Sequence, residues 1–295
     1  MDNPTLADEE MFYRGLWYGD PGNGKTTAIA SAAKFGKVIY IDAENGLKAK
    51  ALRQHGIPVE NIEPHRDVSY DGLNRLHRQI LERLAEGEDI FAVAWDTTTK
   101  TQAFQLEGVV EESSAKAQRI GKEKTEFEAW QDDYGTVSSM MRKLLRKYHG
   151  LQCHLLVGAH QRRDVDEETS TVQIGPAMSP AIATDFNGYM DFVIHCRMEM
   201  WDDEEEFSGL TRPRGRFTAK DRFGLLPPVL IDPSFERVMG YLDERIDRER
   251  DPKQLLAKQR RFAAKGGAPA PEPVKNGDEP KGSDEEPKKV EVDVS

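Results

Sequence analysis

The chain has 295 residues, 38% of them hydrophobic and 32% charged, and its 41 Lys+Arg against 52 Asp+Glu give a formal net charge of −11. That length and apolar content suit one large domain or two small ones, and the acidic balance excludes a protein that coats duplex DNA by charge alone. No run of ~18 apolar residues calls for a membrane span, the acidic opening MDNPTLADEEMFYRG is not expected to be a signal peptide, and two cysteines, Cys153 and Cys196, imply no disulfide framework and fit a reducing cytoplasm.

In chain order, Leu16-Trp17-Tyr18 reads as a buried strand running into the Gly-rich turn GDPGNGKT (19–26). A helix follows from Lys25 to about Phe35, stopped at Gly36, and KVIYI (37–41) is the next strand. Leu73, Leu76, Ile80, Leu81 and Leu84 recur at helical spacing, so one helix face is expected there. FAVAW (91–95) is apolar throughout, as a strand buried on both faces should be. The segment 107–128 is charged and helical in propensity, with Gly108 and Gly121 blurring its ends. Val137, Met140, Met141, Leu144, Leu145 and Tyr148 form a second helical stripe, and HLLVGA (154–159) and FVIHC (192–196) are further strands. Asp232-Pro233 is expected to open a helix through about Ile246, with the aspartate as N-cap.

Strands alternating with helices predict an α/β domain, with a mostly parallel central sheet flanked by helices on both faces, over residues 1–247. A short basic helix is expected within 248–265, carrying Lys253, Lys258, Arg260, Arg261 and Lys265. Residues 266–295 hold eight acids against four lysines and no Leu, Ile, Met or aromatic residue. Such a segment buries too little apolar surface to offset its ordering entropy, so a disordered acidic tail is expected.

The turn at 19–26 fits G-x-x-x-x-G-K-[ST] between strand and helix, the pattern of a phosphate-binding loop. The glycines, Gly19, Gly22 and Gly24, let backbone N–H groups point inward onto phosphate oxygens, and Asp20, Pro21, Asn23 and Thr27 complete the expected nucleotide-binding loop. Lys25 would reach the β- and γ-phosphates of ATP, and Thr26 would ligate Mg²⁺. A second magnesium-binding group should stand at the end of another buried strand, where FAVAWD supplies Asp96. Capping of the next helix is the plainer use of that aspartate. In YIDAENG (40–46), Glu44 lies just past the second strand, where a carboxylate can orient and deprotonate a water; Asp42 competes for that role. Cys153-His154 and His195-Cys196 look like metal ligands, but neighbours on a strand point to opposite faces, so both cysteines read as small buried apolar residues.

The order GDPGNGKT, IDAE, FAVAWD resembles the RecA/RadA/DnaB superfamily of P-loop ATPases. The resemblance implies ATP hydrolysis with Mg²⁺, Glu44 as catalytic base and Asp96 as the Walker B aspartate. LLVGAHQ resembles the family strand that ends in a γ-phosphate sensor, which places His160 or Gln161 in that part. AKDRFG (219–224) resembles the Lys-x-Arg-Phe-Gly signature of RadA-type proteins, and implies that Lys220 and Arg222 reach a neighbouring subunit's γ-phosphate in a ring or filament. With the P-loop at residue 19 and only a helix and tail after the core, the architecture is similar to phage-encoded RecA-like ATPases of single-strand annealing and recombination. The implied setting is the cytoplasm of a bacterial host, with single-stranded DNA and self-association, and with single-strand-binding or replication proteins as further partners. Family members bind DNA through a loop after the sensor strand. Here that region is 161–188, with Arg162 and Arg163 followed by Asp164, Asp166, Glu167 and Glu168. Lys258, Arg260 and Arg261 are a second candidate for DNA. A hexameric helicase or helicase loader is the alternative motor, and an ATP-gated switch without turnover is the alternative of another class.

Overall fold

Alternation along the strands decides the architecture. In β1 (Arg14–Gly19) Leu16 and Tyr18 enter one apolar cluster while Trp17, between them, enters another. The same division recurs in β2 (Lys37–Asp42), where Ile39 and Ile41 face one way and Val38 and Tyr40 the other. Side chains of period two feed two cores, so the sheet is buried on both faces. The computed structural model describes residues 12–125, 128–165, 172–201 and 204–247, together with 251 and 253. The basic segment expected at 254–265 and the tail at 266–295 lie outside them.

The remaining strands are β3 (Ile62–His65), β4 (Ile90–Asp96), β5 (His154–Val165), β6 (Val172–Pro176), β7 (Phe192–Trp201), β8 (Glu204–Leu210), β9 (Lys220–Asp221) and β10 (Val229–Ile231). Their order is β10-β8-β7-β1-β5-β4-β2-β3, with β6 beside β5 and β9 beside β7. Every pairing from β7 through β3 is parallel; β8, β10, β6 and β9 add antiparallel edges. The expected α/β fold with a mostly parallel sheet is what the chain adopts. Because β5 lies between β1 and β4, the carboxyl ends of three neighbouring strands bring the 19–26 loop, His160 and Asp96 to one edge.

Helices α1 (Lys25–Ala30), α2 (Ala49–Gln54), α3 (Tyr70–Ala85), α4 (Thr98–Arg119), α5 (Gln131–His149), α6 (Pro180–Tyr189) and α7 (Phe235–Leu242) cover the sheet. In α3 the buried stripe is Leu73, Leu76 and Ile80, whereas Leu81 is 45% exposed, one residue off that line on a 3.6-residue helix. In α5 Val137, Met141, Leu144, Leu145 and Tyr148 are buried, and each such side chain is worth about 1.5–3 kcal/mol of burial. Met140 is only half-buried.

The helix expected from Lys25 to about Phe35 is α-helical only to Ala30 and continues as a 3₁₀ helix over Ser31–Lys34, and four further boundaries differ from the sequence reading. α4 runs through Gly108 without a break and stops at Arg119, with Gly121 at a left-handed φ of 72° just after. The segment expected as a loop after the sensor strand is largely regular: β5 continues to Val165, β6 pairs back against it, and α6 follows. FVIHC is only the first half of β7, which continues to Trp201 and pairs with the acidic β8. The last helix begins at Phe235, capped by Ser234, whose hydroxyl accepts from the Arg237 N–H. Asp232 cannot be that cap, because it holds a positive φ of 55° two residues earlier.

At the amino end of β1, Arg14 is buried and spends its guanidinium on main-chain oxygens. It donates to His149 (3.1 and 2.9 Å), Leu151 (2.7 Å) and Cys153 (2.6 Å), closing the turn from α5 into β5. Cys153 and Cys196 are both buried free thiols, and burial raises the pKa of each, to about 11 and about 12. Among the described residues no helix is long and apolar enough to cross a membrane.

Candidate nucleotide site

The loop 19–26 leaves β1 at Gly19 and enters α1 at Lys25. Gly22 (φ 84°) and Gly24 (φ 75°) adopt the left-handed conformation that side chains resist. Left-handed residues in such a turn can aim neighbouring N–H groups at an anion, while the Asn23 N–H here bonds the Asp20 carbonyl at 3.3 Å. Asn23 pins the loop by donating its side-chain amide to the Cys196 carbonyl at 3.1 Å. Asp20, Pro21 and Gly22 are exposed, and Thr26 and Thr27 are half-buried. Lys25 is buried with its ammonium folded back onto the Gly19 and Asp20 carbonyls, at 3.1 and 2.9 Å.

Asp96 ends β4 beneath this loop. Its Oδ2 accepts from the Thr26 hydroxyl at 2.6 Å and the Tyr40 hydroxyl at 2.9 Å. Its Oδ1 is buried with no hydrogen-bond partner among the described residues. Burial raises its pKa, against the opposing pull of Thr26, Tyr40 and Lys25. Gly158 on β5 makes room for this carboxylate: a Cβ there would stand 2.3 Å from Oδ1. Capping of α4 falls instead to Thr97, whose hydroxyl accepts from the Lys100 N–H. A threonine hydroxyl in contact with an under-satisfied buried carboxylate is an all-oxygen donor set, which suits Mg²⁺.

Past β2 the two competing carboxylates part. Asp42 is buried and accepts from the Gly46 and Leu47 N–H groups at 2.8 and 3.4 Å, so it closes its own loop, with Arg66 3.9 Å away. Glu44 accepts from the Thr97 hydroxyl at 2.7 Å and lies 2.7 Å from His160 Nε2. Partial burial pushes its pKa up, but the bonds from Thr97 and His160 outweigh that, and the net shift is downward. His160 thus joins Glu44, while the neighbouring Gln161 donates to Asp20 of the loop at 2.6 Å and meets His195 at 3.0 Å.

Tyr40, Thr97, Gly158 and His195 belong to this cluster and were not singled out for it from sequence. A hydroxyl inside the apolar run KVIYI was the available signal for Tyr40. His195 drew notice only as a metal candidate. It is buried, stacks on Phe217 at 4.4 Å between ring centroids, and has its pKa lowered to about 4, by burial first and then by Arg197.

The structure does not bring Lys220 and Arg222 to this cluster. β9 pairs with the start of β7, level with Gly15 and Leu16, so the pair sits roughly 10–17 Å from Gly19 along the strand axis. Lys220 donates to the Asn187, Gly188 and Met190 carbonyls at the carboxyl end of α6. Arg222 pairs with Asp191 at 2.9 Å and is half exposed. Arg162 donates to Asp164 at 2.9 Å, and Arg163 is exposed on β5. Lys258, Arg260 and Arg261 lie outside the described residues.

A glycine-rich loop joining a buried strand to a helix, whose Thr26 meets Asp96 from the end of a second parallel strand, defines a P-loop nucleoside triphosphatase. Comparison with family profiles agrees: an AAA domain profile matches residues 11–223, and the chain belongs to that family. Family membership implies nucleotide binding, typically with Mg²⁺. A comparison with curated proteins finds no match.

Proposed function

We propose that this AAA-family P-loop ATPase is RecA-like in its chemistry, hydrolysing ATP with Glu44 as the base, and that it works on single-stranded DNA in phage recombination, annealing or repair. The observation that carries the chemical part is the placement of Glu44. Its carboxylate is ionised at neutral pH and oriented by Thr97, next to the Asp96 that would hold the metal, and by His160 at the end of the strand beside the loop. A carboxylate so fixed can take a proton from an attacking water.

Thr26 and Asp96 would hold Mg²⁺, which supplies charge neutralisation on the β- and γ-phosphates when bound. Lys25 would exchange its two carbonyl partners for phosphate oxygens. Beside the loop, Gly24, Thr27, His55, Phe207 and Asp232 line a shallow cleft, toward which the nucleoside would project. His160 and Gln161 divide the sensor part, one bonded to the base and the other to the loop. Lys220 and Arg222 are too far along the strand to serve their own loop, so any action on a γ-phosphate would come from an adjacent subunit of a ring or filament.

The DNA reading rests on the resemblance of the motif series and on the β5–β6 hairpin, which leaves the site directly after Gln161. Turnover of ATP with and without single-stranded DNA, in wild type and Glu44→Gln, tests both parts. Hydrolysis intact in Glu44→Gln would refute the base, and turnover indifferent to DNA would refute the substrate.

A further inference from the structure

The segment Thr211–Phe217, TRPRGRF, sets Arg212, Arg214 and Arg216 on alternate positions of a chain whose net charge is −11. All three are exposed. Arg212 donates to the Gly224 carbonyl at 3.2 Å, which leaves its charge uncompensated, and among the described residues none of the three has a carboxylate partner. Arg214 and Phe217 exchange main-chain hydrogen bonds at 3.4 and 3.2 Å, and Gly215 between them has a φ of 57°. This is a two-residue hairpin turn with glycine first, the pattern of a type II′ turn, so the tip that carries Arg214 and Arg216 is built rather than loose.

The turn is also tied to the site. The Ile174 N–H of β6 donates to the Arg216 carbonyl at 2.7 Å, and Ile174 is paired with Arg163 of β5 on its other side. Arg163, exposed, is therefore separated from the turn by β6, in register with Ile174 and, beyond it, Phe217. The Arg216 guanidinium lies 5.4 Å from the centre of the Phe217 ring, which stacks on His195, the partner of Gln161. Arg214 and Arg216 flank one glycine of a fixed turn with no carboxylate partner among the described residues, so an anion arriving there meets uncompensated positive charge. Guanidinium forks match phosphate oxygens bidentately.

We propose that Arg214 and Arg216 at the turn, with Arg163 across β6, form a docking surface for the sugar–phosphate backbone of single-stranded nucleic acid. This rests on the DNA reading above and gives it a site other than Arg162 and the carboxy-terminal basic segment. Contacts of this kind position a strand without reading its bases.

The test is binding of fluorescent oligo-dT and oligo-dA to the full chain over a salt series, comparing wild type with Arg214→Gln/Arg216→Gln and with Arg214→Lys/Arg216→Lys. Each lost phosphate contact on a single strand should flatten the slope of log K against log salt by about 0.7, so the Gln pair should lose about 1.4 on both oligonucleotides. The Lys pair should keep most of the slope, and nucleotide binding, followed with a fluorescent ATP analogue, should be unchanged in both. An unchanged slope in the Gln pair overturns the docking surface while the DNA reading stands. No salt-dependent binding by the wild type overturns both. Binding of a synthetic 266–295 peptide that the Gln pair abolishes, with no oligonucleotide bound, would reassign the turn to an acidic protein segment.

Discussion

Oε1 of Glu44 and Nε2 of His160 lie 2.7 Å apart, which joins the loop after the second strand to the end of the strand beside the phosphate loop. Under the proposed reading, Thr97 and His160 hold the Glu44 carboxylate in place as the base. Glu44→Gln is expected to lower kcat by about 10²–10⁴ with nucleotide affinity retained. His160→Gln, which removes the orienting partner but not the base, should cost less. Steady-state kinetics with equilibrium binding of a slowly hydrolysed ATP analogue separates the two.

Asp96 is expected to trade stability for metal binding. Its carboxylate is buried and its pKa raised by burial, so in the ligand-free protein the ionised form is held at a cost. Asp96→Asn should therefore leave the free protein as stable as wild type or raise its stability by about 1 kcal/mol, roughly 2–4 °C in Tm for a domain of this size. The same variant should lose the further rise in Tm that ATP with Mg²⁺ gives the wild type. Thermal scans with and without Mg²⁺-ATP measure both.

Lys220 and Arg222 present two roles that mutation can divide. As caps of α6 they contribute locally, and Arg222→Ala should cost no more than about 1 kcal/mol, because the Arg222–Asp191 pair is half exposed. As groups acting on a neighbour's γ-phosphate they would be worth about 10³–10⁵ in rate. An equimolar mixture of Lys25→Ala and Arg222→Ala chains should then regain activity at about a quarter of its head-to-tail interfaces. If the chains mix and no activity returns, the pair is a cap alone.

Two buried histidines predict acid sensitivity. His154 accepts the Tyr13 N–H on Nδ1 at 2.9 Å, and burial lowers its pKa to about 4; His195 is lowered to about 4 as well. The unfolded chain takes up protons near pH 6.5 and the folded one not until about 4. Their stabilisation is thus complete above pH 6.5 and lost as pH falls toward 4, by roughly 2 kcal/mol each at pH 5. Denaturation midpoints at pH 7.5 and 5 should differ less in a His154→Gln/His195→Gln variant than in wild type.

Much of this was legible in the sequence. GDPGNGKT, FAVAWD and the apolar runs around them carry strong periodic and compositional signals, and the strands and helices they mark form where expected. The residues alone left Asp42 and Glu44 open and only the resemblance favoured Glu44, because two carboxylates two residues apart differ only in what the fold places beside them. Gly158 was hidden for the same reason: its role is to leave space for Asp96, and empty space has no sequence signature. The polar end of β5 and the acidic β8 escaped because strand residues that face solvent need not be apolar. The turn that carries Arg214 and Arg216 was not legible, because alternating exposed arginines read equally well as a solvated face.

The buried guanidinium of Arg14 makes the two rims of the sheet unlike each other. At one rim a single fork satisfies the carbonyls of His149, Leu151 and Cys153; at the other, Asp96 keeps an oxygen without a partner among the described residues. Local opening should therefore be graded along the strands rather than across them. In deuterium exchange, the amides of 14–16 and 154–156 should hold their protons longest, and those of 19–24 and 96–98 should release them first, until nucleotide seals that rim.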